Sequence, residues 1–122
     1  MKVTIPILLI LLLSSCYKKL EIDGFDEGKW NSFKSQCSEY RLSSVQTLLD
    51  NQDVLLEATQ NEIESILGQA EEHELYARNQ KFFHYRLTLP DSCSDQTTSP
   101  KYLSVRFNAI GRASDIQVIF RE

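Results

Sequence analysis

The sequence predicts an α+β domain in which two N-terminal helices pack on one face of a four-stranded antiparallel sheet. Apolar residues before Gly68 recur at three- and four-residue steps, which is the period of a helix. Apolar residues after Gly68 alternate with polar ones, which is the period of a strand. Each predicted element has a single apolar face, so the helices should cover one side of the sheet. If the short first strand does not form, the sheet has three strands.

The two predicted helices differ in how their ends are marked. The first begins after Cys37 and should end at the polar run 50–53, which favours a turn. Its apolar positions are Leu42, Val45, Leu48 and Leu49. The second begins with a capping box, in which Thr59 and Glu62 each bind the other residue's backbone N–H. Its predicted buried face is Ile63, Ile66 and Leu67. Gly68 should end this helix in the left-handed conformation.

Four segments after Gly68 alternate between apolar and polar residues, as strands do when one face of the sheet is buried. The first is the short segment 73–77, which is followed by a turn at 78–80. The predicted core positions of the other three are Phe83, Tyr85, Leu87 and Leu89, then Leu103, Val105 and Phe107, then Ile116, Val118 and Phe120. Residues 108–112 should form a hairpin connection in which Gly111 supplies positive φ.

The N-terminus is typical of a secretory signal peptide, because Lys2 precedes an apolar segment, 3–13, and two serines. That segment is too short to cross a bilayer as a helix, which needs about 20 apolar residues. Residues 13–16, Leu-Ser-Ser-Cys, resemble the bacterial lipobox. The resemblance implies that the chain is cut before Cys16, which carries a diacylglyceryl group and a fatty acid such as palmitate. The alternative is an ordinary signal peptide with an incidental cysteine.

These signals divide the chain into a signal peptide, 1–15, a lipid-bearing tether, 16–30, and a single α+β domain, 31–122. The tether is polar, contains two glycines and has no apolar period, so we expect it to be extended and flexible. Two or more acyl chains would anchor it stably to a membrane. Because Tyr17 and not Asp follows the cysteine, analogy with lipoprotein sorting favours the outer membrane of the cell envelope.

The charge balance argues against nucleic acid as a partner. The formal net charge of the whole chain is −4, and loss of Lys2 with the signal peptide makes it more negative. Binding to nucleic acid or to anionic lipid headgroups requires clustered basic residues. We therefore expect the lipid on Cys16 to make the membrane contact and an envelope protein to be the partner of the domain.

Cys37 and Cys93 remain after Cys16 is lipidated, and an even pair in an exported chain is typical of a disulfide. Cys93 lies in the predicted loop 90–100, so the bond would clip this loop to the helical layer. Closing a loop of this length would stabilise the fold by about 4 kcal/mol. Two buried free thiols are the alternative. No CxxC or HxxxH spacing in the sequence indicates a metal site.

The sequence lacks several motifs of common enzymes, including GxSxG, HExxH and Gly-rich phosphate loops. It has two histidines. His73 stands among acidic residues, and His84 lies beside Arg86 on the predicted exposed face of the sheet, so we expect both on the surface. We therefore predict that the chain is not an enzyme and needs no cofactor.

The second face of the sheet is the predicted partner surface. If the predicted registers hold, it carries aromatic and aliphatic side chains among arginines, a composition that fits a protein interface. The residues are Phe82, Arg86, Tyr102, Arg106 and Ile119. Two alternatives remain open. The tether, a loop or the acidic stretch covers this surface, or a one-residue slip exchanges the two faces.

Several structural signals occur in an order that is similar to a known family. They lie within about residues 37–120 and are Arg41, Leu48-Leu49, Thr59, Glu62-Ile63, Leu67-Gly68, the strand 102–107 and Gly111. They resemble small bacterial lipoproteins and periplasmic domains with the β-lactamase-inhibitor-protein-like fold. That group includes the small accessory lipoprotein of the outer-membrane barrel-assembly machinery. The resemblance implies the fold and does not imply a particular partner.

Two functions are consistent with these observations. The first is a membrane-tethered protein-binding module, either an accessory or scaffold subunit of an envelope complex or an inhibitor of an envelope enzyme. The second is a small ligand-binding or hydrolytic lipoprotein with a concave site. A flat sheet face with exposed aromatic residues would favour the first function, and a deep, polar-lined pocket would favour the second.

Overall fold

The computed structural model describes residues 20–93 and 99–121. Within these ranges four α-helices come first: α1 (Glu27–Asn31), α2 (Tyr40–Asp50), α3 (Gln52–Leu55) and α4 (Gln60–Leu67). Four strands follow: β1 (Glu72–Tyr76), β2 (Gln80–Arg86), β3 (Lys101–Phe107) and β4 (Ala113–Phe120). The predicted α+β class is therefore confirmed. The predicted signal peptide and Cys16 lie outside the described residues. No helix within the described ranges is long and apolar enough to cross a membrane.

The sheet is antiparallel throughout, and its strands lie in the order β1-β2-β3-β4. Phe83 of β2 pairs with Val105 of β3, which pairs with Ile116 of β4. Directly paired residues point to the same face of a sheet, so these three side chains share one face. They are the side chains that the alternation assigned to the core. The predicted register is confirmed at these positions, and no one-residue slip exchanges the faces.

The hydrophobic core lies between one face of the sheet and the helices. The strand residues of the core are Phe83, Tyr85, Leu87, Leu103, Val105, Phe107, Ala113 and Ile116. The helical residues of the core are Trp30, Leu48, Leu55, Ile63, Ile66 and Leu67. We call this side of the sheet the core face and the opposite side the outer face. The helices therefore form one layer, on the core face.

Helix α4 begins as its capping box predicts. Glu62 N–H donates to Thr59 Oγ1 at 3.2 Å, and Thr59 N–H donates to Glu62 Oε1 at 3.0 Å. The helix ends at Gly68, whose φ of 73° is positive as predicted. Its ψ of −166° is extended and not left-handed helical, a combination that is essentially confined to glycine. A Cβ atom at Gly68 would overlap the side-chain oxygen of Asn31, so this exposed side chain would have to move to admit one.

Residues 20–30 differ from the predicted tether, because they are part of the domain. Leu20 and Ile22 belong to the core, and Trp30 is fully buried. The indole Nε1 of Trp30 donates to Leu67 O at 3.0 Å, which ties α1 to the end of α4. The predicted domain start at residue 31 is therefore wrong. The segment is too short and irregular to show an apolar period, although it contains several large apolar side chains.

Two predicted core positions lie outside the core. Phe120, at the end of β4, is 70% exposed, and Lys101 Nζ lies 5.1 Å from the centre of its ring. Leu89 follows the end of β2 and is half-buried. Alternation predicts the face to which a side chain points. It does not predict how far the covering layer of short helices extends along each strand.

The connections follow the predictions with one addition. Helix α2 ends at Asp50, within the predicted polar run, but α3 begins two residues later where no helix was expected. In the β3–β4 turn Asn108 N–H donates to Arg112 O at 2.9 Å, and Gly111 has a φ of 80°. In the β1–β2 turn Arg78 and Asn79 also take positive φ.

Cys37 and Cys93 form a disulfide, with their Cα atoms 5.4 Å apart. The predicted bond is therefore confirmed, and the alternative of two free thiols is wrong. Cys37 lies between α1 and α2, and Cys93 follows β2. The bond joins the helical layer to the chain that leaves the sheet.

Candidate functional site

A charged cluster centred on Arg41 lies on the helical side of the sheet. Arg41 Nη1 donates to Glu71 Oε1 at 2.6 Å and to Arg86 O at 3.0 Å, and Arg41 Nε donates to Trp30 O at 3.0 Å. The guanidinium lies 4.8 Å from the centre of the Trp30 indole and 4.4 Å from the centre of the Phe33 ring. Glu71 Oε2 accepts the N–H of Arg86 at 3.0 Å. We call Arg41, Glu71, Trp30 and Phe33 the helix-side cluster.

The helix-side cluster is largely shielded from solvent. Burial lowers the pKa of Arg41, and the neighbouring Glu71 carboxylate opposes that change. Burial also raises the pKa of Tyr85 above its ordinary value, and the charges of Glu64 and Glu71 act in the same direction. The Tyr85 hydroxyl donates to Gly68 O at 2.9 Å. These bonds tie α2, the end of α4 and the start of the sheet together, so the cluster is structural.

The outer face of the sheet carries a continuous row of four rings. The ring centres of Tyr76 and Phe82 are 5.8 Å apart, and those of His84 and Tyr102 are 6.4 Å apart. Between them the Phe82 and His84 rings stack with centres 5.8 Å apart and planes 12° from parallel. We call these four residues the outer aromatic row. The row crosses from β1 through β2 to β3, on the face opposite the helices.

His84 lies in this row and is only 2% exposed. Its Nε2 lies 2.9 Å from Glu74 Oε2, so Nε2 carries a hydrogen and donates to the carboxylate. Its Nδ1 is the one buried side-chain N or O atom among residues 20–93 and 99–121 that has no hydrogen-bond partner. A buried polar atom without a partner costs about 1–3 kcal/mol. The outer face therefore keeps a polar position that its own fold does not satisfy.

Arg121 covers part of the outer face from the far side of the sheet. Its guanidinium forms an ion pair with Glu72, lies 3.3 Å from Glu74 Oε2 and lies 5.9 Å from the centre of the Tyr102 ring. Because β4 and β1 are the two edges of the sheet, this side chain reaches across the row. We call Glu72, Glu74, His84 and Arg121 the outer charged cluster. It helps to bury the row although no helix lies there.

The five predicted partner residues share the outer face, as the strand register requires. Their exposures differ. Arg106 is exposed, Phe82 and Ile119 are half-buried, and Tyr102 is only 7% exposed. The half-buried Arg86 donates to two carbonyl oxygens just beyond β2, at 2.9 and 3.0 Å. The prediction brought the right residues together, but it overestimated how many of them are fully accessible.

The two histidines differ from each other. His73 is exposed, as expected, and the centre of its ring lies 4.3 Å from that of Phe83 on the core face. The expectation that His84 lies on the surface is wrong, because two aromatic rings flank it and Arg121 helps to cover it. Sequence reasoning also missed Tyr76 and Glu74. Both residues join the outer face through the pairing of β1 with β2. The alternation within a single strand does not reveal which strand it pairs with.

An open cleft of about 640 Å³ lies between residues 21–28 and Ile66 of α4. Its charged lining residues are Glu21, Asp23, Asp26 and Glu27. The described lining contains no histidine, cysteine or lysine. No group of three or more His, Cys, Asp or Glu side chains within the described ranges is placed to hold a metal ion. The cleft therefore offers acidic groups from one segment of chain.

No family model matches this chain, and the curated proteins and solved structures give no significant match. The resemblance to lipoproteins with the β-lactamase-inhibitor-protein-like fold stays a prediction.

Proposed function

We propose that the chain is the precursor of a lipid-anchored protein-binding module of the bacterial cell envelope. In this proposal Cys16 carries the lipid, and the outer membrane is the favoured location. The domain binds an envelope protein, as an accessory or scaffold subunit of a complex or as an inhibitor of an envelope enzyme. It catalyses no reaction and holds no cofactor.

The outer aromatic row is the observation that carries this proposal. Aromatic and arginine side chains are enriched in protein interfaces. Aromatic rings bury much area and order few rotatable bonds. Tyr76 is 63% exposed at one end of the row, and the exposed Arg106 pairs with Phe82 in the strand register. The helices leave this face to solvent and to partners.

A photocrosslinker at single positions of the full-length protein tests the partner surface. The photoreactive residue replaces Tyr76 or Arg106 on the outer face, or Leu42 on α2 as a control of comparable exposure. We expect both outer-face positions to crosslink the same envelope protein in intact cells, and Leu42 not to do so. Adducts of equal yield from Leu42, or no adduct from either outer-face position, would contradict the proposal.

The lipid anchor is tested separately by metabolic labelling with a clickable fatty acid. The wild-type chain should incorporate the label and fractionate with membranes. Cys16→Ala should leave an unlabelled precursor, because the thiol that accepts the lipid is absent. Label that persists on the mutant would contradict the assignment of Cys16.

A further inference from the structure

The two edge strands of the sheet are protected to very different degrees. β1 has five residues, and three of them are Glu or His. β4 has eight residues with Asp115 as its one charged side chain, and it contains neither lysine nor proline. Short length, charge and proline are the features that keep an edge strand from pairing with another chain. β4 lacks them, so it is the unprotected edge.

The backbone groups at this edge follow from the ladder. Alternate residues of an antiparallel strand turn their N–H and C=O groups to the same side. Arg121 N–H donates to Pro100 O at 2.9 Å, on the side of β3. By alternation Ile116, Val118 and Phe120 turn their backbone groups away from β3. These three residues therefore present donors and acceptors at the outer edge of the sheet.

The first residue of β4 is already paired at its outer side, but the rest of the edge is open. Ala113 N–H donates to Ala58 O, and Ala113 O accepts from Glu57 N–H, each at 2.8 Å. No described segment pairs with the outer side of β4 from Asp115 onward. Phe120, at the far end, is 70% exposed. The available stretch is long enough for a short antiparallel ladder.

We propose that this open edge binds the same edge of a second copy of the chain. The two sheets would join into one eight-stranded sheet around a two-fold axis at Val118. Ile116, Val118 and Phe120 of each copy would then exchange backbone hydrogen bonds. This inference goes beyond the binding of another envelope protein by the outer face.

Side-chain complementarity selects the second copy and fixes its register. With the axis at Val118, Ile116 lies opposite Phe120 of the second copy, so the most exposed apolar side chain of the strand meets an apolar one. In the same register Asp115 lies opposite Arg121 of the second copy, so an acidic residue meets a basic one. To meet Asp115, the Arg121 guanidinium would turn away from Glu72 and Glu74 on β1, where it lies in the single copy.

A one-residue shift of the axis removes this complementarity. With the axis at Gln117, Phe120 would lie opposite Ser114 and Asp115 opposite Ile119. An aromatic ring would then face a hydroxyl and a carboxylate would face an alkyl chain. The register around Val118 is therefore the one that we expect.

The contact area between the two edge strands is small, so the dimer should be tested while both copies are anchored to a membrane. A single strand pair buries less than about 1,000 Å², which is typical of a weak association in solution. Confinement of both copies on one membrane by the lipid of the proposed function would raise their effective concentration. The experiment therefore uses the full-length protein in membranes.

Two full-length copies with different tags, one carrying Gln117→Cys and the other Ile119→Cys, test the register. These two positions would form a non-hydrogen-bonded pair with Cα atoms about 4.5 Å apart. That separation lies within the range of disulfides, about 4.4–6.8 Å. We expect a disulfide-linked product that contains both tags. As a control, both copies carry Leu75→Cys, a position on β1 that is 75% exposed, and should not form it.

A matched pair of charge substitutions then tests the apolar contact within the crosslinking experiment. Phe120→Glu in both copies should lower the yield about tenfold, because a carboxylate would replace the ring beside Ile116. Ile110→Glu, which is 78% exposed in the β3–β4 turn, should leave the yield unchanged. The proposal is overturned if no two-tag product forms, if Leu75→Cys gives an equal yield, or if both substitutions act alike. A product with the mass of a different protein also overturns it.

Discussion

Glu71 and Glu72 are neighbours in the chain, but they enter charged clusters on opposite sides of the sheet. Glu71 pairs with Arg41 in the helix-side cluster, where the two side chains are 11% and 5% exposed. Glu72 pairs with Arg121 in the outer charged cluster, where the side chains are 43% and 36% exposed. Water screens the second pair and hardly reaches the first. The same residue type therefore fixes the fold at one position and covers part of the outer face, the proposed binding surface, at the next.

The largest effect is expected from the helix-side cluster. Arg41→Met keeps an apolar stem between the Trp30 and Phe33 rings but leaves the Glu71 carboxylate buried without its charge partner. We expect the free energy of unfolding to fall by about 3–5 kcal/mol. Urea denaturation followed by tryptophan fluorescence measures it. Adding Glu71→Gln should recover part of the loss, and a double variant as unstable as Arg41→Met would break the comparison.

The disulfide should have the next largest effect, because it holds the helical layer to the chain beyond β2. Cys37→Ser removes a crosslink between residues 56 positions apart, and we expect a loss of about 2–4 kcal/mol. Thermal unfolding under non-reducing conditions measures it. Reduced wild-type protein should melt near the mutant. A wild type that melts alike with and without reductant would show that the bond contributes little.

Alkaline pH should weaken the helical side through Tyr85. Burial raises the pKa of Tyr85 above its ordinary value of 10.0, so the unfolded chain loses this proton at a lower pH than the folded protein does. The neutral Tyr85 hydroxyl therefore stabilises the folded protein fully below about pH 10. As the pH rises above that value, the free energy of unfolding falls by about 1.4 kcal/mol per pH unit. Tyr85→Phe should remove this extra loss. Urea melts of both proteins at about pH 9 and 11 test it.

Neighbouring rings on opposite faces give a matched pair of substitutions. Tyr85→Phe removes the hydrogen bond to Gly68 O and should cost about 1 kcal/mol at neutral pH. His84→Phe keeps a ring in the outer aromatic row and removes the unpaired Nδ1, so it should cost less than that. Denaturant melts compare the two. If His84→Phe is the more damaging substitution, its bond to Glu74 contributes more to the fold than the comparison allows.

The smallest effect on stability is expected from the outer charged cluster. Arg121→Ala should cost about 0–1 kcal/mol, because both ion pairs of Arg121 are partly exposed. The same change should uncover Tyr102 and alter crosslinking at the outer aromatic row. A loss of stability comparable with that of Arg41→Met would mean that the two faces do not differ as described.

Local signals predicted most of the fold. The capping box at Thr59 and the glycine at Gly68 depend on residues within one helix, so a single sequence reveals them. Alternation likewise assigned Phe83 and Val105 to the core face. Elements that lack a period were missed. Trp30 is held by α4 and α2, and neither partner is visible in the segment around it.

The candidate site was harder to predict than the fold because its parts come together across strands. The sequence placed Phe82 and Tyr102 on the outer face. It did not show that Arg121, just beyond β4, would reach Glu74 on β1 and help to cover His84. Long side chains that cross a sheet depend on strand order. Strand order follows from tertiary packing and not from local pattern.

The burial of Leu20 sets how close the domain can lie to a membrane. If Cys16 carries the lipid as proposed, only three residues lie between the anchor and the first core residue, Leu20, and the chain between them spans at most about 14 Å. That distance is about twice the depth of one lipid headgroup layer, which is about 5–8 Å. Leu20 lies beside Val54, Leu56 and Arg112, so this flank of the domain would face the lipid surface. This linker is too short for the domain to rotate freely relative to the membrane. A partner of the outer face would then have to approach along the membrane plane.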